Sequence, residues 1–153
     1  MKKRKLLWLT AVLLTTLLCA CGRNATENVQ ANEPVFDEQI LVDNEYCKVT
    51  VKSAAADEFW GYTMKLALEN KTDDTLIMFS MDNVSVNSYM CDPFWACEVA
   101  AGKKSNEEVT WFEESLDENE IEEVTEIEFT LTVYDSEDWE RANIVEQTFV
   151  IYP

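Results

Sequence analysis

The chain of 153 residues contains no histidine, and this absence excludes more chemistry than any other feature of the composition. Histidine is the commonest general base and the commonest transition-metal ligand in proteins. Without it, the Ser-His-Asp and Cys-His arrangements of nucleophilic enzymes are excluded. Glycine is also scarce, and none of the three glycines lies in a phosphate-binding motif. We therefore expect a protein that is not an enzyme and uses no cofactor.

Positively charged residues are few, since 12 Lys and Arg stand against 30 Asp and Glu, giving a net charge of −18. Four of the basic residues lie between positions 2 and 5. A chain without its first 20 residues therefore keeps 8 basic and 30 acidic residues and has a net charge of −22. Contacts with nucleic-acid phosphates need cations, so nucleic acid is excluded as a partner. An anionic membrane surface would repel such a domain as well.

Long apolar runs are absent except for residues 6–20, which follow the basic residues 2–5. As a helix these 15 residues would span about 22 Å, less than the roughly 30 Å of a bilayer core. The run ends in Leu18-Cys19-Ala20-Cys21, which resembles the lipobox of bacterial lipoproteins. We therefore predict a signal peptide over residues 1–20 and lipid attachment at Cys21. The lipid would anchor the protein to the extracytoplasmic face of the cell membrane.

The segment that follows, residues 21–39, is polar and without a pattern, and is predicted to be a flexible tether. From residue 40 to 153 the apolar residues recur with a period of two, and turn-forming residues separate the apolar segments. This pattern predicts an all-β domain of seven to nine short strands, an antiparallel β-sandwich that is most simply immunoglobulin-like. The alternation also places Trp60 and Trp111 on apolar faces, so both are expected in the core.

Three cysteines remain if Cys19 leaves with the signal peptide and Cys21 is lipidated. Since three is an odd number, at most one disulfide can form within the chain. Cys91 and Cys97 are the better pair, because they flank a bend that contains proline. Three reduced thiols are the other interpretation, and the sequence does not decide between the two. Three cysteines without a fourth ligand or a CxxC motif do not make a zinc signature.

Two groups of residues are candidates for ligand binding. Asp135, Glu137 and Asp138 crowd one turn and are candidate ligands of a cation such as calcium, although turns are rich in Asp in any case. Trp95 follows Pro93-Phe94 and Trp139 lies in an acidic loop; exposed, their rings could stack on sugars, whereas residues of this kind more often cover a sheet edge. The acidic stretch 107–128 has three interpretations: a weak calcium site, a docking face for a basic partner and a solvated face.

Several segments resemble a known family, the small lipoproteins and membrane-tethered proteins of Gram-positive Firmicutes, clostridia especially, with an immunoglobulin-like domain of unknown function. The segments are 68–71, 84–90, 92–94, 99–104, 127–129 and 133–135. The resemblance implies an immunoglobulin-like fold and attachment to the outer face of a monoderm membrane, and it carries no catalytic residues. Ser88 departs from the glycine usual in this family, and the cysteines at 91 and 97 are a second departure.

Two functions are therefore weighed. The first is a non-enzymatic, lipid-anchored surface domain that binds a protein or envelope partner through a loop or a sheet face. The second is a calcium-dependent or glycan-binding module that uses the acidic loops and exposed tryptophans. The first is favoured, because solvated surface and packing at a sheet edge are the more ordinary explanations of the acidic loops and the tryptophans.

Overall fold

The computed structural model describes residues 36–138 and 140–153. They form nine strands and one short helix. The elements are β1 Gln39–Asp43, β2 Cys47–Asp57, β3 Gly61–Asn70, β4 Ile77–Val86, β5 Tyr89–Met90, β6 Ala96–Val99, β7 Lys104–Phe112, α1 Glu113–Glu118, β8 Ile127–Asp135 and β9 Val145–Ile151. Among the described residues, no helix is long and apolar enough to cross a membrane.

The strands form two antiparallel sheets packed face to face, which confirms the prediction of an all-β sandwich. The first sheet has the order β1-β2-β3-β7. In the second sheet β4 pairs with β8 on one side and with both β5 and β6 on the other, and β9 completes the sheet beside β8. Each strand pair in both sheets is antiparallel.

Strict alternation along the central strands builds the core. In β3 the buried residues are Tyr62, Met64, Leu66 and Leu68, and in β8 they are Ile127, Phe129, Leu131 and Val133. Residues between them point outward, as the period of two requires. Trp111 of β7 is the largest fully buried side chain, with 2% of its surface exposed. The inner faces of the two sheets thus meet over a single core.

The expectation that Trp60 lies in the core is wrong, since 60% of this residue is exposed. The alternation of β3 begins at Gly61, one residue later. Trp60 belongs to the turn before it, where the Asp57 side chain accepts hydrogen bonds from the backbone N–H groups of Phe59 and Trp60. An Asx turn of this kind sets the backbone direction locally, so the strand period does not extend through it.

Gly61 makes the tight entry into β3 possible. Its φ of +107° is a conformation that residues with a Cβ rarely adopt. A Cβ on this residue would also lie against the carbonyl oxygen of Trp111 and 2.5 Å from the backbone nitrogen of Glu113. Gly102 has a φ of +66°, within the left-handed region, and open space around it, so the two glycines differ both in φ and in crowding.

We predict that Gly61→Ala lowers the free energy of unfolding by about 3 kcal/mol or more, because it combines a strained φ with a backbone clash. Gly102→Ala is the matched control and is expected to cost about 1 kcal/mol, from backbone strain alone. Urea unfolding of both variants beside the wild type measures the difference. Equal losses would show that the close approach at Gly61 is unimportant.

Candidate functional site

Three connections that are distant in sequence meet at one end of the sandwich. The turn between β2 and β3 is joined to α1 by a hydrogen bond from the Glu113 N–H to the Trp60 carbonyl oxygen, 3.2 Å long. The Trp111 indole N–H donates to the Cys91 carbonyl oxygen at 2.8 Å and so joins β7 to the segment after β5. The Asn87 amide, in the turn between β4 and β5, donates to the Glu123 carbonyl oxygen at 2.6 Å.

The Asn87 turn is a tight hairpin that joins β4 to β5. Asn87 and Ser88 have φ values of +49° and +70°, so both central residues are left-handed, as a type I′ turn requires. The Asn87 side-chain oxygen also accepts hydrogen bonds from the N–H groups of Thr125 and Glu126. This one amide therefore fixes the hairpin against the connection that leads into β8.

The surface of this end is apolar. Five large side chains lie exposed there, namely Phe59 (80% exposed), Met90 (68%), Trp60 (60%), Phe112 (55%) and Tyr89 (53%). We call this surface the apolar end. The rings of Trp60 and Phe112 meet edge to face with centroids 6.4 Å apart. Single exposed hydrophobic residues are common on protein surfaces, whereas several gathered at one end mark an interaction site.

Phe94 presents a further aromatic ring beside the apolar end, on the edge of the second sheet. It is 93% exposed and has a φ of +53°, which is an outlier for a bulky residue. The Asp92 side chain, which accepts a hydrogen bond from the Phe94 N–H at 2.8 Å, stabilises this conformation. A strained backbone that holds a hydrophobic ring in solvent is typical of a functional position.

Carboxylates border the apolar end. Glu58 precedes Phe59, and Glu113 and Glu114 follow Phe112; we call these three exposed residues the acidic rim. Among the described residues, none of the three side chains forms a hydrogen bond or an ion pair. The α1 helix begins at Glu113, so two of these carboxylates also interact favourably with its dipole.

The opposite end of the sandwich carries a polar cleft of about 670 Å³. Its lining comes from the β1–β2 turn, the β3–β4 loop and the β8–β9 loop, and includes Glu45, Tyr46, Lys71, Asp73, Asp74 and Arg141. The Lys71 ammonium donates to Asp43 at 2.5 Å and to the Asn44 carbonyl oxygen at 2.8 Å. The hydrogen bond from Lys71 lowers the pKa of the Asp43 carboxyl. Because Lys71 is already paired, the cleft offers no free anion-binding group at this position.

Asn70 holds the loop that lines the cleft. It is 1% exposed, and its side-chain nitrogen donates to the carbonyl oxygens of Thr75 at 2.8 Å and Val99 at 2.7 Å. Its side-chain oxygen accepts from the backbone N–H of Thr72 at 3.0 Å and from the Thr72 hydroxyl at 2.7 Å. All four bonds depend on a single buried amide, so the loop conformation follows from this residue.

The sequence-predicted cation ligands do not converge. The two carboxylate oxygens of Asp135 are engaged, one by the Glu137 N–H at 3.0 Å and the other by Arg141 at 3.6 Å. Across residues 36–138 and 140–153, no group of three or more Cys, Asp or Glu side chains is placed to hold a metal ion. Asp135, Glu137 and Asp138 therefore form an ordinary Asx turn in this structure.

The structure describes Trp95 but not the other two predicted site residues, Trp139 and Cys21. Trp95 is half-buried and packs against the core, so it does not offer its ring to a sugar as expected. Trp139 and Cys21 lie outside the described residues, and the predictions made for them stay predictions. Phe59, Phe94 and Phe112 were not predicted as site residues: turns set the exposure of Phe59 and Phe94, and Phe112 lies at the outward position that ends β7.

Of the two interpretations left open for Cys91 and Cys97, this structure has the free thiols and not the disulfide. The Cys91 N–H donates to the Val84 carbonyl oxygen, whereas Cys97 lies opposite Phe79. These two positions on β4 are five residues apart, or about 15 Å along a strand. A disulfide needs Cα atoms within about 7 Å, so the length of β4 between them keeps the thiols apart.

No protein-family model matches the chain, and no curated protein or solved structure is significantly similar to it. The candidate site therefore has to be judged on its own geometry. That geometry contrasts an apolar end bordered by carboxylates with a polar cleft whose two cations, Lys71 and Arg141, are paired.

We predict that Asn70→Ala lowers the free energy of unfolding by about 2–4 kcal/mol, because it leaves buried carbonyl and N–H groups without partners. Asn106→Ala, on an exposed position of β7, is the matched control and is expected to change stability by less than about 0.5 kcal/mol. Thermal or urea unfolding measures both. A small loss at Asn70 would contradict its assigned role.

We predict that Cys47, Cys91 and Cys97 react slowly with iodoacetamide at pH 8 in the folded protein and rapidly after unfolding without reductant. Burial raises the pKa of Cys47 and of Cys97 to about 11, with the Glu107 carboxylate contributing at Cys97. Since these folded-state values exceed the ordinary 9.0, the contribution of the two thiols to stability is constant below about pH 9 and is lost as the pH rises toward 11. Mass spectrometry counts the labelled thiols, and a Cys91–Cys97 pair that resists labelling after unfolding would contradict the free-thiol assignment.

Proposed function

We propose that the protein is a non-enzymatic, lipid-anchored domain on the extracytoplasmic face of the membrane, and that its apolar end binds a protein partner. The observation that carries this proposal is the gathering of Phe59, Trp60, Tyr89, Met90 and Phe112 on one end of a small domain. Aromatic residues and Met are enriched in protein interfaces, and aromatic residues supply much of the energy at their centres. A protein partner would remove these side chains from water.

The strand order supports an immunoglobulin-like assignment for the sandwich. If β2, β3 and β7 correspond to strands A, B and E, then β6, β4, β8 and β9 correspond to C′, C, F and G. This places three strands in one sheet and four in the other, joined in the order of an immunoglobulin-like domain. β1 and β5 are then additional edge strands. Domains of this architecture present their loops at the two ends, which is where the apolar end and the cleft lie.

Membrane attachment rests on the sequence of residues 1–21, with its basic start, short apolar run and lipobox-like ending at Cys21. Fourteen residues separate Cys21 from Phe36. The flexible tether predicted for them from the sequence would average about 20 Å end to end. The resemblance to clostridial lipoproteins agrees with this location.

The rigidity of the apolar end supports its role as a docking surface. The turn that presents Phe59 and Trp60 is held by the Asp57 side chain and by Gly61. The hairpin that presents Tyr89 and Met90 is held by the Asn87 amide. Because these rings stand on fixed backbone, less conformational entropy is lost on binding than with flexible loops.

The test is photo-crosslinking in the cells that make the protein. We predict that the full chain with Phe112→benzoylphenylalanine forms a discrete adduct with another protein. The chain with Ile40→benzoylphenylalanine should not, although Ile40 is exposed to a similar degree, 59% against 55%. The adduct should disappear when Phe59→Ser and Trp60→Ser are added.

These two substitutions lie in an exposed turn, so they should leave the free energy of unfolding within about 1 kcal/mol of the wild type. Unfolding curves therefore separate loss of binding from loss of fold. Equal adducts from positions 112 and 40, or adducts with lipid alone, would contradict a protein-docking role for the apolar end.

A further inference from the structure

The charges of the domain are distributed unequally between its two ends. The described residues contain seven cations, Lys48, Lys52, Lys65, Lys71, Lys103, Lys104 and Arg141. By strand register, Lys52 and Lys65 lie in the middle of the first sheet, and the other five lie at the cleft end. Residues 53–64 and 105–140, which supply most of the apolar end, contain no Lys or Arg.

The ion pairs of the cations follow the same division, although Glu45, Asp73 and Asp74 at the cleft end also lie outside every ion pair of the described residues. At the cleft end and in the middle of the sheet, six of the seven described cations form ion pairs with acidic residues. At the apolar end, Glu58, Glu113 and Glu114 have no such partner among the described residues. Further acids follow in α1 and in the connection to β8, at positions 117, 118, 120, 122 and 123. The electrostatic potential at the apolar end is therefore negative, and no Lys or Arg of the described residues lies there to neutralise it.

The negative charge of the apolar end distinguishes between the kinds of partner that could cover an apolar surface. A second copy of the chain docked through the same surface would bring two acidic rims together, and like charges in an interface are strongly unfavourable. An anionic lipid surface would be repelled for the same reason. A polypeptide that carries Lys or Arg between apolar residues satisfies both features of the surface.

We propose that the apolar end binds a cationic segment of a partner protein, with Lys or Arg side chains against the acidic rim and its aromatic rings. This inference rests on the proposed function and specifies the partner's chemistry. Glu58, Glu113 and Glu114 supply carboxylates for charge-assisted hydrogen bonds, which Arg makes in pairs. The exposed faces of Trp60 and Phe112 attract a cation through their π-electrons. Apolar residues of the segment cover Phe59 and Met90.

The test measures the affinity of the full chain, in mild neutral detergent, for a synthetic 12-residue peptide of alternating Arg and Leu. Glu58→Gln/Glu113→Gln/Glu114→Gln should raise the Kd by about tenfold or more, the loss of one to two charge-assisted contacts. The matched control is Glu45→Gln/Asp73→Asn/Asp74→Asn at the cleft end. It removes the same three charges and should raise the Kd less than about twofold, because charges farther than about 8 Å are screened at physiological salt.

Two further arms complete the test. Phe59→Ser/Trp60→Ser should also weaken binding, and a peptide with Glu in place of Arg should not bind. Equal effects of the rim variant and the cleft variant would overturn the inference, since they would reflect net charge alone. If the Phe112 crosslink to a protein persists unchanged in the rim variant, the docking function stands and the cationic partner is wrong. If no protein crosslink forms from Phe112 in the wild-type background, the proposed function itself fails.

Discussion

The hydrogen bond from the Trp111 indole to the Cys91 carbonyl oxygen is the contact on which the candidate site depends. Trp111 is fully buried between the sheets, so its N–H needs a partner, and it finds one in the segment that follows β5. The next residue of β7, Phe112, points outward and pairs with Gly61 of β3. Trp111 thus positions the β2–β3 turn and the start of α1, both of which lie next to exposed rings. Asn87 positions the third connection, the β4–β5 hairpin.

The fold could be predicted from the sequence where strands alternate over their full length, as in β3 and β8. The apolar end could not be predicted in this way, because its exposed rings lie at the ends of the alternating strands or just beyond them. Trp60 continues the apolar pattern of β3 in sequence, yet the Asp57 side chain and Gly61 turn it outward. Phe112 follows a buried Trp111 on the next, outward position. The meeting of these residues requires the pairing of β3 with β7, which no local pattern reveals.

The two ends of the sandwich illustrate how an acidic domain divides its charges. At the cleft end the few cations lie close to carboxylates, and surface pairs of this kind contribute little to stability. At the apolar end the carboxylates have no such neighbours. A small domain gains nothing in stability from exposed Phe and Trp beside unpaired Glu. This combination is therefore better explained by a partner that carries the complementary charge.

The most direct measurement is an NMR titration of the uniformly 15N-labelled protein with the Arg-Leu peptide. The account predicts that the indole signal of Trp60 and the backbone signals of Glu58 and Glu113 shift most. The buried Trp111 and the cleft residues Lys71 and Arg141 should move little. Shifts centred on the cleft, or spread evenly over the acidic surface, would contradict the assignment of the apolar end as the docking site.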